Sequence, residues 1–327
     1  MNIRSLFALV FFGTLVGASS CTNKKSEKSY YYWRSSYALD KTEQEALGKT
    51  NKLYLKVCDV RLDNNDNPEP IAVMLWKNDP ITRIQYTPVV FIDKDIFISH
   101  QDNVKLGKLS NLAKNILSLI TSSWSHNQLS FDEIQIDCDW TPKSKKGYFI
   151  FLKELKRQSA KKVTATLRLD QIKNYKITGV PPVDEGVVMA YNMGNISNPK
   201  AKNSILSMKV LKRYIHSNSS FPLPSKLALP IFSWKLLYRE GQFKGIVSRL
   251  SDSVLNFNFS TADSIFYHCK TTFVSNDFSF ERGDILRVER VGAEDLEKAE
   301  KLIRSRMSLI NETIYFDLSS KNLKNYE

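Results

Sequence analysis

Cysteine and histidine are scarce in this chain: 327 residues contain four of each. With Cys21 set aside for the reason given below, Cys58, Cys138 and Cys269 cannot all pair, and their spacing matches no structural zinc site. Cys58 and Cys138 sit in apolar, strand-like runs and read as buried thiols. His100, His126, His216 and His268 form no HExxH motif, so a metal site is not expected, and no other cofactor is. A glycine-rich phosphate loop after the first strand-like segment is also lacking, which argues against a nucleotide-binding reading. No repeat, low-complexity tract or Pro/Ser linker divides the chain. Acidic residues fall short of basic ones, 34 against 47, giving a formal net charge of +13. The lysines are scattered along presumed helix faces. They read as a compositional bias, or as affinity for anionic glycans or lipid headgroups, and no nucleic-acid partner is expected.

The N-terminus stands apart. Arg4 precedes an apolar run from Leu6 to Val16 that is too short to span a bilayer. Gly17, Ala18, Ser19 and Ser20 follow, and then Cys21. A charged start, a short apolar stretch and small residues before a cysteine resemble a bacterial lipoprotein signal. The expected organisation is a signal peptide over 1–20, a polar tether over 21–28 and a single domain over 29–327. Cys21 is the expected lipidation site, in a cell envelope with the domain facing the periplasm and the membrane as a partner through the lipid. An ordinary secretory signal with an incidental Cys21 is the alternative.

Beyond residue 29, strand-like and helix-like segments alternate. Principal strands are predicted at 30–34, 53–60, 88–93, 134–139, 163–169, 186–192, 227–234 and 314–318. An inserted strand is predicted at Ile71 to Trp76. Helices are predicted over 42–47, 106–123, 143–158, 203–216 and 294–306 from apolar residues at helical spacing. Residues 238–290 are irregular and strand-rich. Eight strands with crossover helices predict an α/β fold, a (β/α)8 barrel of the TIM type with a strand-rich insertion near the C-terminal end. A doubly wound sheet is the alternative.

The most informative stretch is 131–140, Phe-Asp-Glu-Ile-Gln-Ile-Asp-Cys-Asp-Trp. In an extended chain alternate residues share a face, so Gln135, Asp137 and Asp139 line one side and Ile134, Ile136 and Cys138 the other. Two adjacent carboxylates at a strand's C-terminal end are candidates for acid–base chemistry, because burial and mutual repulsion hold one of them protonated. Barrel strands carry their sites at those ends. The ends predicted here hold Trp33, Asp59, Asp93, Asp137, Asp139, Arg168, Asp170, Tyr191, Asn192, Trp234 and Asp317. Acids and aromatics gathered at one mouth suit a sugar, with rings stacking on its faces and carboxylates holding hydroxyls or passing protons. A structural hydrogen-bond network of Asp137 and Asp139 with Arg168 is the other reading of the same residues, and Asp184 reads as a turn cap.

Residues 131–139 resemble the fourth-strand motif F-D-G-x-D-x-D-x-E of chitinase-like glycoside hydrolases, family eighteen, and Met189-Ala190-Tyr191-Asn192 resembles that family's sixth-strand M-x-Y-D. The resemblance implies Asp139 as catalytic acid, with Asp137 supporting it and a substrate acetamido group. It also implies Gln135 in a remote supporting place and Tyr191 with Asn192 as a substrate-orienting pair. The chain departs from the family in having Asp for Glu at 139, amides at 135 and 192, and no S-x-G-G in the third strand. Residues 134–141, 178–184 and 228–234 resemble a family of uncharacterised bacterial lipoproteins. Arg168, Trp33 and Trp234 complete the expected substrate-binding set. The expected activity is glycosidic-bond hydrolysis by general-acid catalysis on an oligosaccharide or polysaccharide. A glycan-binding barrel without turnover and a structural envelope lipoprotein are the alternatives.

Overall fold

The computed structural model describes residues 27–99, 106–215, 221–247, 249–276 and 278–326. The expected signal peptide, Cys21 and most of the tether lie outside the described residues, as do His100 and His216.

Eight parallel strands form a ring: β1 (Glu27–Tyr32), β2 (Lys52–Leu62), β3 (Gln85–Ile92), β4 (Glu133–Asp137), β5 (Lys162–Arg168), β6 (Glu185–Met189), β7 (Ser225–Pro230) and β8 (Ile310–Phe316). Each pairs with its neighbour in sequence, and β1 pairs with both β2 and β8, which closes the barrel. The expected (β/α)8 fold is the one observed. Its outer layer follows from periodicity. Helix Lys145–Ser159 buries Tyr148, Phe151, Leu152 and Leu155, three or four residues apart, on one stripe. Helix Leu106–His126 buries Leu109, Leu112, Ala113, Ile116, Ile120 and Trp124 in the same way. These stripes share one core with Ile134, Ile136 and Cys138, the outward face of β4. Each such large side chain contributes about 1.5–3 kcal/mol by leaving water.

The inward faces fill the barrel. Tyr31, Tyr54, Val89, Val187, Ala228 and Ile314 form a separate apolar cluster between the strands. Below it, towards the strands' N-terminal ends, lies a buried charge network. Lys226 Nζ donates to both Glu133 carboxylate oxygens at 2.7 Å and to the Tyr54 hydroxyl at 2.8 Å. Lys52 donates to Glu133 at 2.7 Å, Thr164 donates to it at 2.9 Å, and Glu312 accepts from Ser29 and Tyr54. Burial alone would raise the Glu133 carboxyl, but the two ammonium groups outweigh it and bring it down to about 2.

The structure departs from the predicted elements in three places. The stretch 71–76 is two short strands, Pro68–Ile71 against β2 and Leu75–Trp76 beside Ser36–Tyr37, broken where Ala72 takes a positive φ of 49°. The helix predicted over 203–216 is confined to Met208–Tyr214, because Ser207 caps it and Asn203 and Ser204 are engaged elsewhere. β7 ends at Pro230, so Trp234 opens the insertion instead of ending a barrel strand. That insertion has a five-stranded sheet with its own core around Leu237, Phe259, Phe280, Leu286 and Val288, and spans 234–289 against the expected 238–290.

Candidate active site

β4 sets the geometry. Its inward face runs Glu133, Gln135, Asp137 from the barrel's base to its mouth, with Asp139 one step beyond on the rim. Asp137 and Asp139 line a cleft of about 340 Å³ at the C-terminal ends of the strands, together with Trp33, Arg168, Tyr191 and Asn192. Six of the eight expected glycan-site residues therefore meet in one cavity. Leu169, Asp170, Met189, Met193, Tyr214 and Phe316 complete the lining.

The two inward carboxylates of β4 sit in opposite environments. Glu133 is held ionised by two lysines. Asp137 is half-buried, accepts one hydrogen bond from Thr166 Oγ1 at 2.7 Å, and has no ion pair among the described residues. Burial, then the charges of Asp139 and Asp59, push its carboxyl up to about 6 against the pull of Thr166 and Lys56. Lys56 is itself committed to Asp59 at 2.7 Å, and its ammonium lies 5.6 Å from the centre of the Trp33 ring. Asp139 is exposed. Arg168 stands beside it, Nη1 3.4 Å from Oδ1, and its Nε lies 3.2 Å from Asp170 Oδ1. One carboxyl that is protonated in mildly acidic solution, next to a second at the rim, is the arrangement needed to hold and deliver a proton.

Aromatic rings make the opposite wall. Trp33 packs edge-on to Tyr31 and against Phe316, and Tyr191 stacks on Phe316 at 5.3 Å between centroids. Burial, then the charges of Asp137 and Asp139, hold the Tyr191 phenol well above its usual range, so it is a neutral donor. Asn192 takes a positive φ of 54°, a conformation that asparagine tolerates well, and so turns the chain out of the barrel at the cleft edge.

Gln135 and Trp234 are not in the lining. Gln135 is buried in the barrel, accepts from Tyr31 at 2.5 Å, and its amide nitrogen has no partner among the described residues. Trp234 donates to Glu289 at 2.8 Å in the insertion. Of the spare carboxylates, Asp93 accepts from the Asp95 amide at the start of a short helix, and Asp317 accepts from Asn322 at 2.5 Å. Asp184 holds the Val163 amide and Lys156 beside the start of β6. Asp170 alone of these lines the cleft. Phe316, Thr166 and Tyr214 went unread in the sequence. Alternation along β5 places Thr166 on the face of Arg168, and a one-residue shift in β8 brings Phe316 into the cleft where Asp317 was expected. Tyr214 carries no signal that separates it from an ordinary helix residue. Among the described residues no three His, Cys, Asp or Glu side chains are grouped to hold a metal ion.

An eight-stranded parallel barrel with its cleft at this end defines the class of fold, a (β/α)8 barrel, and solved barrels of chitinases and a cortex-lytic enzyme share it. The spore cortex-lytic enzyme SleL of Bacillus cereus is similar over 92% of this chain and 74% of its own, at 14% identity and a TM-score of 0.53. A chitinase from Chromobacterium violaceum is similar over 90% of this chain and 94% of its own, at 10% identity and a TM-score of 0.51. A class V chitinase from Nicotiana tobaccum, solved in complex with NAG4, is similar over the same shares at 9% identity and a TM-score of 0.50. At such identities the likeness is one of fold. No family model and no curated protein matches the sequence.

Proposed function

We propose that the cleft binds a glycan and cleaves its glycosidic bond by general-acid catalysis. The observation that carries this reading is the contrast along β4: of two inward carboxylates, the one at the mouth is held near pKa 6 next to a second carboxylate in an aromatic-walled cleft. Asp139, on the exposed rim, donates a proton to the leaving oxygen as the bond to the anomeric carbon breaks. Asp137, deeper and protonated in mildly acidic solution, orients the substrate. A substrate with a 2-acetamido group supplies its own nucleophile in the amide oxygen, and water then opens the cyclic intermediate with Asp139 as base. The chitinases and the cortex-lytic enzyme among the similar structures support an amino-sugar polymer as substrate. For a sugar lacking that group, Asp170 is the cleft's remaining carboxylate. Lipidation at Cys21, with the barrel tethered in a cell envelope, belongs to the same proposal and rests on the N-terminal sequence.

A second reading, binding without turnover, is favoured by one contact. Arg168 lies 3.4 Å from Asp139 Oδ1 and also reaches Asp170, so the rim carboxylate is placed to pair with a cation instead of a leaving oxygen. Titration of the protein with N-acetylglucosamine oligosaccharides tests the shared part of both readings. Trp33→Ala should weaken binding by about tenfold through loss of an aromatic face. Unchanged affinity would remove Trp33 from the site.

A further inference from the structure

A buried carboxylate lies where the insertion meets the loop that leaves the cleft, beside bonds from Arg287 and Tyr238 to the same loop. Glu289, on the insertion strand Ile285–Glu289, is 1% exposed. It accepts from Arg287 Nε at 2.6 Å, from the Ser204 amide at 2.6 Å, from Ser204 Oγ at 2.8 Å and from Trp234 Nε1 at 2.8 Å. Two routes run from it to the lining. Ser204 is paired with the segment that leaves β6: its carbonyl accepts from the Gly194 amide at 3.0 Å, next to Met193 and Asn192. The approach is close enough that a methyl at Gly194 would lie 2.8 Å from Ser204 Cα. On the other side Trp234 packs on Phe232, whose ring meets both Tyr191 and Phe316 edge-on. Arg287 adds hydrogen bonds to the carbonyls of Asn198 and Ile196 in the same loop.

We infer that Glu289 is a positioning residue for the cleft. It holds the loop 192–206 from one side and the Trp234–Phe232 pair from the other, so the insertion sets the wall made by Tyr191, Asn192 and Met193. A buried charged pair is a costly way to stabilise a domain. A well-packed apolar pair would join the insertion to the barrel as firmly, but would not fix a loop through its backbone amides and carbonyls. This inference deepens the proposed glycan function and rests on it for its binding consequence, though not for its structural one.

Glu289→Gln tests it, because the amide keeps the shape and loses the charge; Ser204→Ala is the milder companion, removing the hydroxyl contact and leaving the Ser204 amide contact and the Arg287–Glu289 pair in place. Hydrogen exchange at the amides of 192–206 should quicken by about tenfold or more in Glu289→Gln, and less in Ser204→Ala, with the barrel strands protected as in the parent. With an oligosaccharide that the parent turns over, KM should rise by about tenfold and kcat by contrast stay within about threefold, with the pH profile unmoved. Exchange that quickens only within 234–289, or evenly over the whole chain, would overturn the inference, as would an unchanged KM in a variant whose loop had loosened. If the parent neither binds nor cleaves any glycan, the proposed function fails while the exchange result still decides the role of Glu289.

Discussion

Replacing Lys226 with methionine is expected to destabilise the protein by about 3–5 kcal/mol at neutral pH, because it leaves a buried carboxylate cluster short of its central cation. Lys226 reaches Glu133 at 2.7 Å and lies 3.5 Å from both Glu185 and Glu312, and its side chain is almost wholly buried. The pH dependence carries a sign that cavity formation alone would not give. In the parent, Glu133 titrates at about 2 folded against an ordinary 4.5, so its contribution is fully present above pH 4.5 and is lost as the pH falls towards 2. Without Lys226 the balance at Glu133 tips towards protonation, and the variant should gain stability on going from pH 7 to pH 5. Chemical unfolding of both proteins across that range reads the two slopes. Lys226→Met with Glu133→Gln should recover part of the loss, since the second change removes the orphaned charge. A single variant within about 1 kcal/mol of the parent would mean that water already reaches the network and screens it.

Asp137→Asn should do the opposite to stability and the worst to function. Asp137 titrates at about 6 in the folded protein against 3.8 as its ordinary value. A raised carboxyl contributes stability below its unfolded pKa and loses it as the pH rises through the folded one, so at pH 7 the ionised group is a cost. Removing its charge should stabilise the fold by about 1–3 kcal/mol at pH 7, and by little at pH 4. The Thr166 hydrogen bond survives, because the asparagine oxygen accepts it as the carboxylate does. Turnover should fall by about a hundredfold or more. In the parent, turnover should decline as the pH rises above about 6. An Asp137→Asn protein that is no more stable at pH 7 would show that this carboxyl is an ordinary solvated acid, and one that is equally active would show that turnover does not need it.

These two predictions concern two ends of one five-residue strand, and they show what the sequence can and cannot disclose. Strict alternation in 133–139 is legible, because a strand with one face on helices and one in a barrel has no other way to distribute Ile134, Ile136, Gln135 and Asp137. The mouth acids followed from that, and the barrel from eight strand-like segments alternating with helices. The fate of each acid did not. Glu133 meets Lys226 and Lys52, 93 and 81 residues away along the chain, and only the closed ring brings them together. Asp137 meets no such cation. Trp234 was read as a strand end, yet the chain leaves β7 after Pro230, and the indole serves Glu289, which no local pattern links to it. Phe316 against Asp317 is a matter of register in the last strand, which closure on β1 decides and periodicity does not.

The most direct measurement is a hydrolysis screen of the protein on chitin, peptidoglycan and N-glycan oligosaccharides, with Asp139→Asn alongside at pH 5 to 7. The expected result is release of reducing ends from at least one amino-sugar polymer, reduced by about 10²–10⁴-fold in the variant, with oligosaccharide binding retained. Turnover that survives unchanged in Asp139→Asn, or oligosaccharide binding with no turnover in either protein, would contradict general-acid catalysis at this cleft.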